Sequence, residues 1–222
     1  MQVQLQPNMN KVYDEIAESW YGLRHWTRFR TELEELADRW KCGRLLNAGC
    51  AHGPDFLPFV GRFKLCGVDF SARMIGFARK YARKHVFEAD LVVADARSLP
   101  FDDGVFDFAI SVAAYHNIRG GEDRRQAFSQ LCRVLKPGGE AFITVWNRWQ
   151  LKFWFSGKEV MVPWRTRSGT LDRYYYLYSS GELVSDLRRS GFSVLSVLPE
   201  KSHFLPVPWF SRNICVLVRK PV

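Results

Sequence analysis

The chain has 222 residues, 47% of them hydrophobic and 15% aromatic, with a formal net charge of +9 and an isoelectric point near 9.5. This length and composition favour a folded protein with a substantial core and exclude a globally disordered chain. No apolar run approaches the roughly 20 residues of a membrane-spanning helix, and the polar start, Met1–Asn10, lacks a signal-peptide core. We therefore expect a cytoplasmic protein without a membrane partner.

The basic charge and the cysteines narrow the classes of partner. A surplus of Lys and Arg attracts phosphate backbones and favours an RNA or DNA partner, with a charge spread evenly over the surface for solubility as the alternative. The five cysteines form no Cys-x-x-Cys pair. That pattern is typical of small core residues and predicts neither disulfides nor a metal site.

Residues 10–41 predict two helices separated at Gly22. The second helix runs to about Trp40. A helical segment ahead of the core either covers the site or packs on the sheet. Arg24 and His25 follow the break, and we expect them near a ligand because loops and element ends carry function.

The next stretch predicts the centre of the fold. Leu45–Gly53 is typical of a buried strand that ends in a glycine turn, and Asp55–Phe63 of the helix that follows. A second strand, Leu65–Asp69, precedes the helix Ala72–His85, for which Ser71 is the expected N-cap. The basic residues of that helix are typical of a solvated face.

Strands and helices continue to alternate along the rest of the chain. The further predicted strands are Leu91–Ala94, Phe106–Val112, Glu140–Val145, Phe192–Leu198 and Asn213–Arg219, and the further helices are Asp123–Leu135 and Ser180–Ser190. This order predicts an α/β fold with a doubly wound, mostly parallel seven-stranded sheet, helices on both faces and an antiparallel C-terminal strand. We expect one domain over residues 1–222, with the aromatic and basic residues 147–179 as an insertion over the active site.

The glycine turn and two acids indicate a bound nucleoside. The turn Gly49-Cys50-Ala51-His52-Gly53 fits the dinucleotide fingerprint Gly-x-Gly-x-x-Gly poorly. Asp69 after the second strand suits ribose hydroxyls, and Asp95 after the third suits an adenine amino group. Together with the Lys-Pro-Gly-Gly that precedes the fifth strand, these features make Leu45–Val145 resemble the class I S-adenosylmethionine-dependent methyltransferases.

The resemblance implies S-adenosylmethionine as the cofactor. The residues that it implies for cofactor binding are Asn47, Gly49, Gly53, Asp69, Phe70, Asp95 and Ala96. Two positions depart from the family pattern, because Asn47 stands where an acid is common and Ala51 where a glycine is common. We expect both changes to weaken cofactor binding without abolishing it.

The flanking sequences resemble a narrower group, the tRNA methyltransferases that methylate the carboxylate of 5-carboxymethyluridine at the wobble position. The segments that carry this resemblance most strongly are Val162-Pro163-Trp164 and Arg173-Tyr174-Tyr175-Tyr176-Leu177-Tyr178. The resemblance implies two partners, a tRNA anticodon loop and a small zinc-ribbon activator protein that forms a heterodimer with the enzyme. It covers nearly the whole chain.

A carboxylate nucleophile explains which catalytic groups the chain needs. It is ionised at neutral pH and requires no general base, but it requires a cation to orient it. The candidates for catalysis are Arg24, His116 and Arg165, and the candidates for substrate binding are Tyr115, Asn117, Trp146, Arg148 and Tyr175. A structural role for His116, and simple packing for Trp146 and Tyr175, are the alternatives.

The third strand is expected at an edge of the sheet. Its residues Leu91, Val92 and Val93 are apolar, so this edge invites strand addition by another chain, and we expect the activator there. Coverage by loops of the same chain is the alternative. Two other functions compete with the main hypothesis: methylation of a small metabolite such as a quinone precursor, and RNA binding without catalysis.

Overall fold

A seven-stranded sheet with the order β3-β2-β1-β4-β5-β9-β8 forms the centre of the computed structural model, which describes residues 9–166, 169–201 and 211–222. The strands are β1 (Gly43–Ala48), β2 (Phe63–Asp69), β3 (Asp90–Val93), β4 (Phe106–Val112), β5 (Leu135–Trp146), β6 (Glu159–Thr166), β7 (Gly169–Tyr176), β8 (Ser193–Pro199) and β9 (Asn213–Arg219). Strands β1 to β5 pair in parallel, whereas β9 is antiparallel to both β5 and β8. This topology confirms the predicted fold class.

Helices cover both faces of this sheet. They are α1 (Met9–Leu23), α2 (Arg30–Trp40), α3 (Ala72–Lys84), α4 (Gly121–Val134) and α5 (Ser180–Arg189). On one face Trp40 of α2 stacks on Phe108 of β4 with ring centroids 4.6 Å apart. On the other face Phe128 of α4 and Leu187 of α5 are buried in a second cluster. Both faces therefore exclude water, as a parallel sheet requires.

Two predicted elements differ from the structure, and one connection interrupts the alternation of strands and helices. The expected helix Asp55–Phe63 is a 3₁₀-helix, Pro54–Phe59, because Pro58 has no N–H to donate and its ring disfavours a continuing α-helix. Strand β5 begins at Leu135, so the Lys-Pro-Gly-Gly segment lies within this strand, beside a register shift opposite Phe106 and Phe108. In the described structure β3 and β4 are joined by residues 94–105 without a helix.

Strands β6 and β7 form a separate antiparallel hairpin that packs against α1. The indole Nε1–H of Trp164 donates to the Ser19 hydroxyl at 2.8 Å, and the Trp164 and Trp20 ring centroids are 4.8 Å apart. This hairpin belongs to the expected insertion at 147–179, of which residues 167–168 lie outside the described part of the chain, as does most of the polar start at Met1–Asn10.

None of the helices that the structure describes is both long and apolar enough to span a membrane.

Candidate active site

A cavity of about 540 Å³ opens at the carboxyl ends of β1, β2 and β4. Parallel strands bring their ends to one edge, and the polar residues that follow them therefore meet there. Helix α1 contributes Tyr13 and Trp20 to the wall, and the hairpin contributes Arg173 and Tyr175. The cavity thus has a floor from the sheet and a cover from α1 and the β6–β7 hairpin.

The turn after β1 requires small residues. Gly49 has φ +80°, and a Cβ at this position would lie 2.3 Å from the Ala114 Cβ. Ala51 also adopts positive φ, at +46°, which costs an L-residue with a side chain about 1 kcal/mol. This strain is the physical reason why a glycine suits that position better. The weaker cofactor binding that we expect at Ala51 therefore has its cause in the backbone conformation of the turn.

Asp69 holds this turn in place from the end of β2. Its side chain is buried and accepts hydrogen bonds from the backbone N–H of Ala51 and of Ser71, both at 2.9 Å. Burial raises the pKa of Asp69 to about 6, against the lowering effect of these two donors. Each carboxylate oxygen has a further lone pair, and Asp69 lines the cavity, so it can also accept from ribose hydroxyls.

The other residues implied for cofactor binding fall into two groups. Gly49, Phe70, Asp95 and Ala96 line the cavity with Asp69. Asp95 accepts from the Arg97 guanidinium at 2.6 Å, and this ion pair lowers its pKa against the effect of burial. Asn47 and Gly53 do not line the cavity. Gly53, with φ +91°, instead starts the 3₁₀-helix.

These features fit S-adenosylmethionine. Gly49 lines the cavity without a side chain, because a Cβ there would collide with Ala114. The acid at the end of β2 and the acid after β3 line the same space. The side-chain amide of Asn47 is buried beneath the turn and has no hydrogen-bond partner among the described residues. Residues Gly49, Asp69 and Asp95 would therefore hold the nucleoside part of the cofactor.

Two arginines, Arg24 and Arg173, line the cavity next to the same tryptophan. The guanidinium carbon of Arg24 lies 4.2 Å from the Trp20 ring centroid, and that of Arg173 lies 5.4 Å from the same centroid. Both also contact the ring of Trp164, at 5.7 and 4.8 Å. Burial lowers the pKa of Arg24, yet an arginine remains charged at neutral pH. This arrangement concentrates positive charge next to aromatic walls.

His116 also lines the cavity, close enough to Arg173 to feel its charge. Its ring is buried, 4.8 Å from the Tyr175 centroid and 5.9 Å from that of Trp146. Neither ring nitrogen has a hydrogen-bond partner within the described residues. Burial, with a smaller effect of Arg173, lowers the pKa of His116 to about 3. The imidazole is therefore neutral at pH 7, with one N–H to donate and one nitrogen to accept.

The structure places Arg165 and Arg148 outside the cavity, contrary to their expected roles. Side chains alternate between the two faces of a strand. Pairing of Val162 with Arg173 puts Arg173 on the inner face of the hairpin, and Arg165, three residues after Val162, is exposed on the outer face. Arg148 contacts the ring of Trp149 at 4.8 Å instead.

Arg173 takes the place expected for Arg165. It is buried, lines the cavity and donates from Nη1 to the Tyr175 hydroxyl at 2.6 Å. Its Nε has no hydrogen-bond partner among the described residues. The sequence contained a signal, because Arg173 and Tyr175 are two residues apart and therefore share a face of a strand.

The remaining expected substrate residues all line the cavity, although their side chains differ in surroundings. Trp146 and Tyr175 contact each other edge to face, with centroids 4.4 Å apart. Tyr115 is in the core, where its ring packs on Phe128 at 5.1 Å. Asn117 donates to the Ala113 carbonyl at a long 3.4 Å. Trp146 and Tyr175 are therefore the better placed candidates for contacting a substrate.

Sequence reasoning missed the residues that hold the loop after α1. Nε2 of His52 contacts the carbonyl oxygen of Arg24, and the Tyr81 hydroxyl donates to the His25 carbonyl at 2.7 Å. Asp55 is buried near Thr27, and burial raises its pKa to about 6. These contacts position the backbone of Arg24. The residues that make them are distant in the sequence and come together only in the tertiary structure.

Cofactor affinity is expected to rise with pH up to about 6 and then to level off. Folding favours protonated Asp69, because its pKa of about 6 exceeds the ordinary value of 3.8. The protonated carboxyl therefore stabilises the fold fully below pH 3.8, and this stabilisation is lost as the pH rises through about 6. Ribose hydroxyls bind the ionised form, so affinity should fall about tenfold per pH unit below that value.

Calorimetric titration of S-adenosylmethionine between pH 5 and 8 tests this dependence. Asp55→Asn is the matched control, because the pKa of Asp55 is raised to a similar value and the dependence should survive its loss. An affinity that is constant across this range would contradict the assignment of Asp69.

Comparison with known proteins agrees with this geometry. Residues 46–143 match the family described as "Methyltransferase domain". A protein of Encephalitozoon cuniculi named as a methyltransferase is 31% identical over 208 residues, which are 90% of this chain and 93% of that protein. A crystal structure of an S-adenosylmethionine-dependent methyltransferase from Clostridium acetobutylicum superposes with a TM-score of 0.73, at 15% identity and over 96% of this chain and 97% of that one.

A further relative has a more specific name. The tRNA (carboxymethyluridine(34)-5-O)-methyltransferase of Xenopus tropicalis is 35% identical over 145 residues, which are 62% of this chain. The chain spans about a fifth of that relative, 21% of its length.

Proposed function

Because the chain belongs to the class I S-adenosylmethionine-dependent methyltransferases, we propose that it methylates the carboxylate of 5-carboxymethyluridine at the wobble position of tRNA. The name of the Xenopus relative supports this substrate. The formal charge of +9 supports a nucleic-acid partner. The observation that carries the proposal is the pair Arg24 and Arg173, whose guanidinium groups meet in the cavity around one tryptophan.

The arginines orient the nucleophile. A carboxylate accepts hydrogen bonds from a planar guanidinium in a defined direction, which fixes the oxygen that attacks. S-adenosylmethionine, when bound, supplies an electrophilic methyl group. A carboxylate has no proton to lose, so the reaction needs no general base. Alignment of the nucleophile with the methyl group therefore accounts for much of the rate. Arg24 and Arg173 therefore act by positioning and not by proton transfer.

His116, Trp146 and Tyr175 surround the uracil ring in this proposal. A neutral imidazole with two unpartnered nitrogens can form hydrogen bonds with the edge of the base. The rings of Trp146 and Tyr175 meet edge to face and are nearly perpendicular. A flat base can therefore stack on one of these two rings but not on both. A pKa of His116 near 3 makes it a poor base at neutral pH.

Nucleoside mass spectrometry of tRNA tests the proposal. A strain that lacks the gene should accumulate the free acid, 5-carboxymethyluridine, and lose its methyl ester. The wild-type gene should restore the ester. Unchanged wobble uridines in the deletion strain would refute the substrate, and a small-metabolite methyltransferase would produce that result.

We propose that a zinc-ribbon activator binds at the β3 edge. Strand β3 pairs only with β2 in the described structure, and Val93 is 48% exposed. Arg79 donates a long hydrogen bond, 3.4 Å, to the Leu91 carbonyl, so this one acceptor on the edge strand is already partly satisfied. The apolar side chains and the remaining backbone groups support addition of a strand from the partner.

Val92→Pro is expected to abolish co-purification with the activator, because a proline in this short strand distorts the edge that the partner strand would extend. Leu195→Pro is the matched control. Leu195 lies on β8, the opposite edge of the sheet, at a register shift between Val194 and Ser196. The control should retain the activator. An intact complex with Val92→Pro would show that the activator binds elsewhere.

A further inference from the structure

The segment Arg148–Phe155 presents large apolar side chains to solvent beside the cavity. Phe155 is fully exposed and Trp154 is 52% exposed. Trp149 and Leu151 are also exposed. Isolated apolar residues on a surface are common, whereas a cluster next to a functional cavity is typical of a binding surface. We call residues 148–155 the aromatic segment.

The aromatic segment is continuous with the wall of the cavity. Trp146 lines the cavity, and its ring centroid lies 5.9 Å from that of Phe153. The Lys152 ammonium lies between these rings, 4.5 Å from the Trp146 centroid and 4.6 Å from that of Phe153. Ring contacts therefore run from Tyr175 inside the cavity through Trp146 to Phe153, and the exposed Trp154 follows Phe153 in the chain.

The charge of this surface identifies its partner. From Arg148 to Lys158 the chain has three cations and no Asp or Glu. Lys158 pairs with Glu182 at 3.1 Å, which leaves Arg148 and Lys152 as the cations next to the aromatic rings. Exposed aromatic faces beside positive charge match a single-stranded nucleic acid, whose unstacked bases need a stacking surface and whose phosphates need cations.

We propose that the aromatic segment binds single-stranded RNA by stacking the bases that flank the methylated nucleotide. Trp154 and Phe155 supply the faces for stacking, and Arg148 and Lys152 contact the phosphates. This inference rests on the proposed tRNA function and adds to it a reason for selecting a loop. Bases in a duplex are already stacked on one another, so a duplex gains nothing from this surface.

Removal of the aromatic faces tests the inference. The double variant Trp154→Leu with Phe155→Leu keeps the apolar character but has no π-face, and its affinity for an RNA hairpin with 5-carboxymethyluridine in the loop should fall about tenfold or more. The double variant Trp154→Phe with Phe155→Tyr is the matched control and should retain wild-type affinity. Fluorescence anisotropy measures both. Thermal unfolding and S-adenosylmethionine calorimetry should be the same for all three proteins.

Each outcome discriminates between explanations. Equal RNA affinity of the leucine variant and the wild type would overturn the inference while leaving the proposed function in place. A wild-type protein that binds no loop RNA would overturn both. Binding to vesicles of phosphatidylcholine and phosphatidylglycerol is measured as well, because a membrane-binding surface would retain vesicle binding in the leucine variant. Vesicle binding of that kind, with unchanged RNA affinity, would assign the segment to a membrane.

Discussion

Replacement of Arg173 by alanine should lower kcat by at least about 100-fold, a loss comparable to removal of one group that positions or stabilises the reacting oxygen. Arg173 lines the cavity and shares the Trp20 and Trp164 rings with Arg24. In the proposed reaction, the substrate carboxylate would then lose one of its two cationic partners and attack from a poorly fixed direction. The Kd for S-adenosylmethionine should remain close to the wild-type value.

Arg165→Ala is the matched control for this prediction. Arg165 lies on the same hairpin but on its outer face, exposed and away from the cavity. The Arg165→Ala substitution removes the same charge from the protein and should leave kcat unchanged. Single-turnover transfer with saturating cofactor separates chemistry from binding. Equal losses in the two variants would show that total charge, and not placement, is responsible, and wild-type turnover in Arg173→Ala would exclude Arg173 from the reaction.

Asp69→Ala should weaken S-adenosylmethionine binding by at least about 100-fold, because charge-assisted hydrogen bonds each contribute about 1.5–3 kcal/mol. The substitution removes the acceptor for the ribose hydroxyls. It also frees the N–H groups of Ala51 and Ser71, which donate to Asp69 at 2.9 Å. Ala51 is held at a positive φ, and the turn should relax once this contact is lost.

Calorimetry and the rise in melting temperature on adding cofactor both measure the effect. Asp38→Ala is the control, because Asp38 is an exposed acid of α2 that pairs with Arg62 and does not line the cavity. The control should bind cofactor normally. Binding by Asp69→Ala within a few-fold of the wild type would contradict the role assigned to the end of β2.

The parts of the fold that depend on local sequence were predictable. Strands β4 and β9 have the bounds that their apolar runs indicated, Phe106–Val112 and Asn213–Arg219. Ser71 caps α3 as expected and accepts from the Met74 N–H at 3.1 Å. In each case residues close in the sequence determine the structure through burial or a side-chain cap. Local patterns also placed Gly49, Asp69 and Asp95 at the cavity, whereas the expected residues Asn47 and Gly53 do not line it.

The substrate end depended on contacts between distant residues. The choice between Arg165 and Arg173 is set by the register of the β6–β7 hairpin, and a shift of one residue reverses the faces of a strand. Nothing in the separate segments shows that Trp20 of α1 and Trp164 of β6 meet at 4.8 Å. His52 and Arg24 are likewise brought together only by the packed loop after α1. Sequence patterns therefore located the cavity but not every side chain that points into it.

Transfer of a methyl group to a carboxylate on a wobble uridine is the reaction that we propose for this protein. The most direct measurement is transfer of label from S-adenosylmethionine to a purified RNA hairpin, with the zinc-ribbon activator present, comparing loops that carry 5-carboxymethyluridine and uridine. We expect labelled methyl ester, removable by mild alkali, on the hairpin with 5-carboxymethyluridine and not on the uridine hairpin. Label on the uridine hairpin, alkali-stable label, or no transfer to either RNA would contradict it.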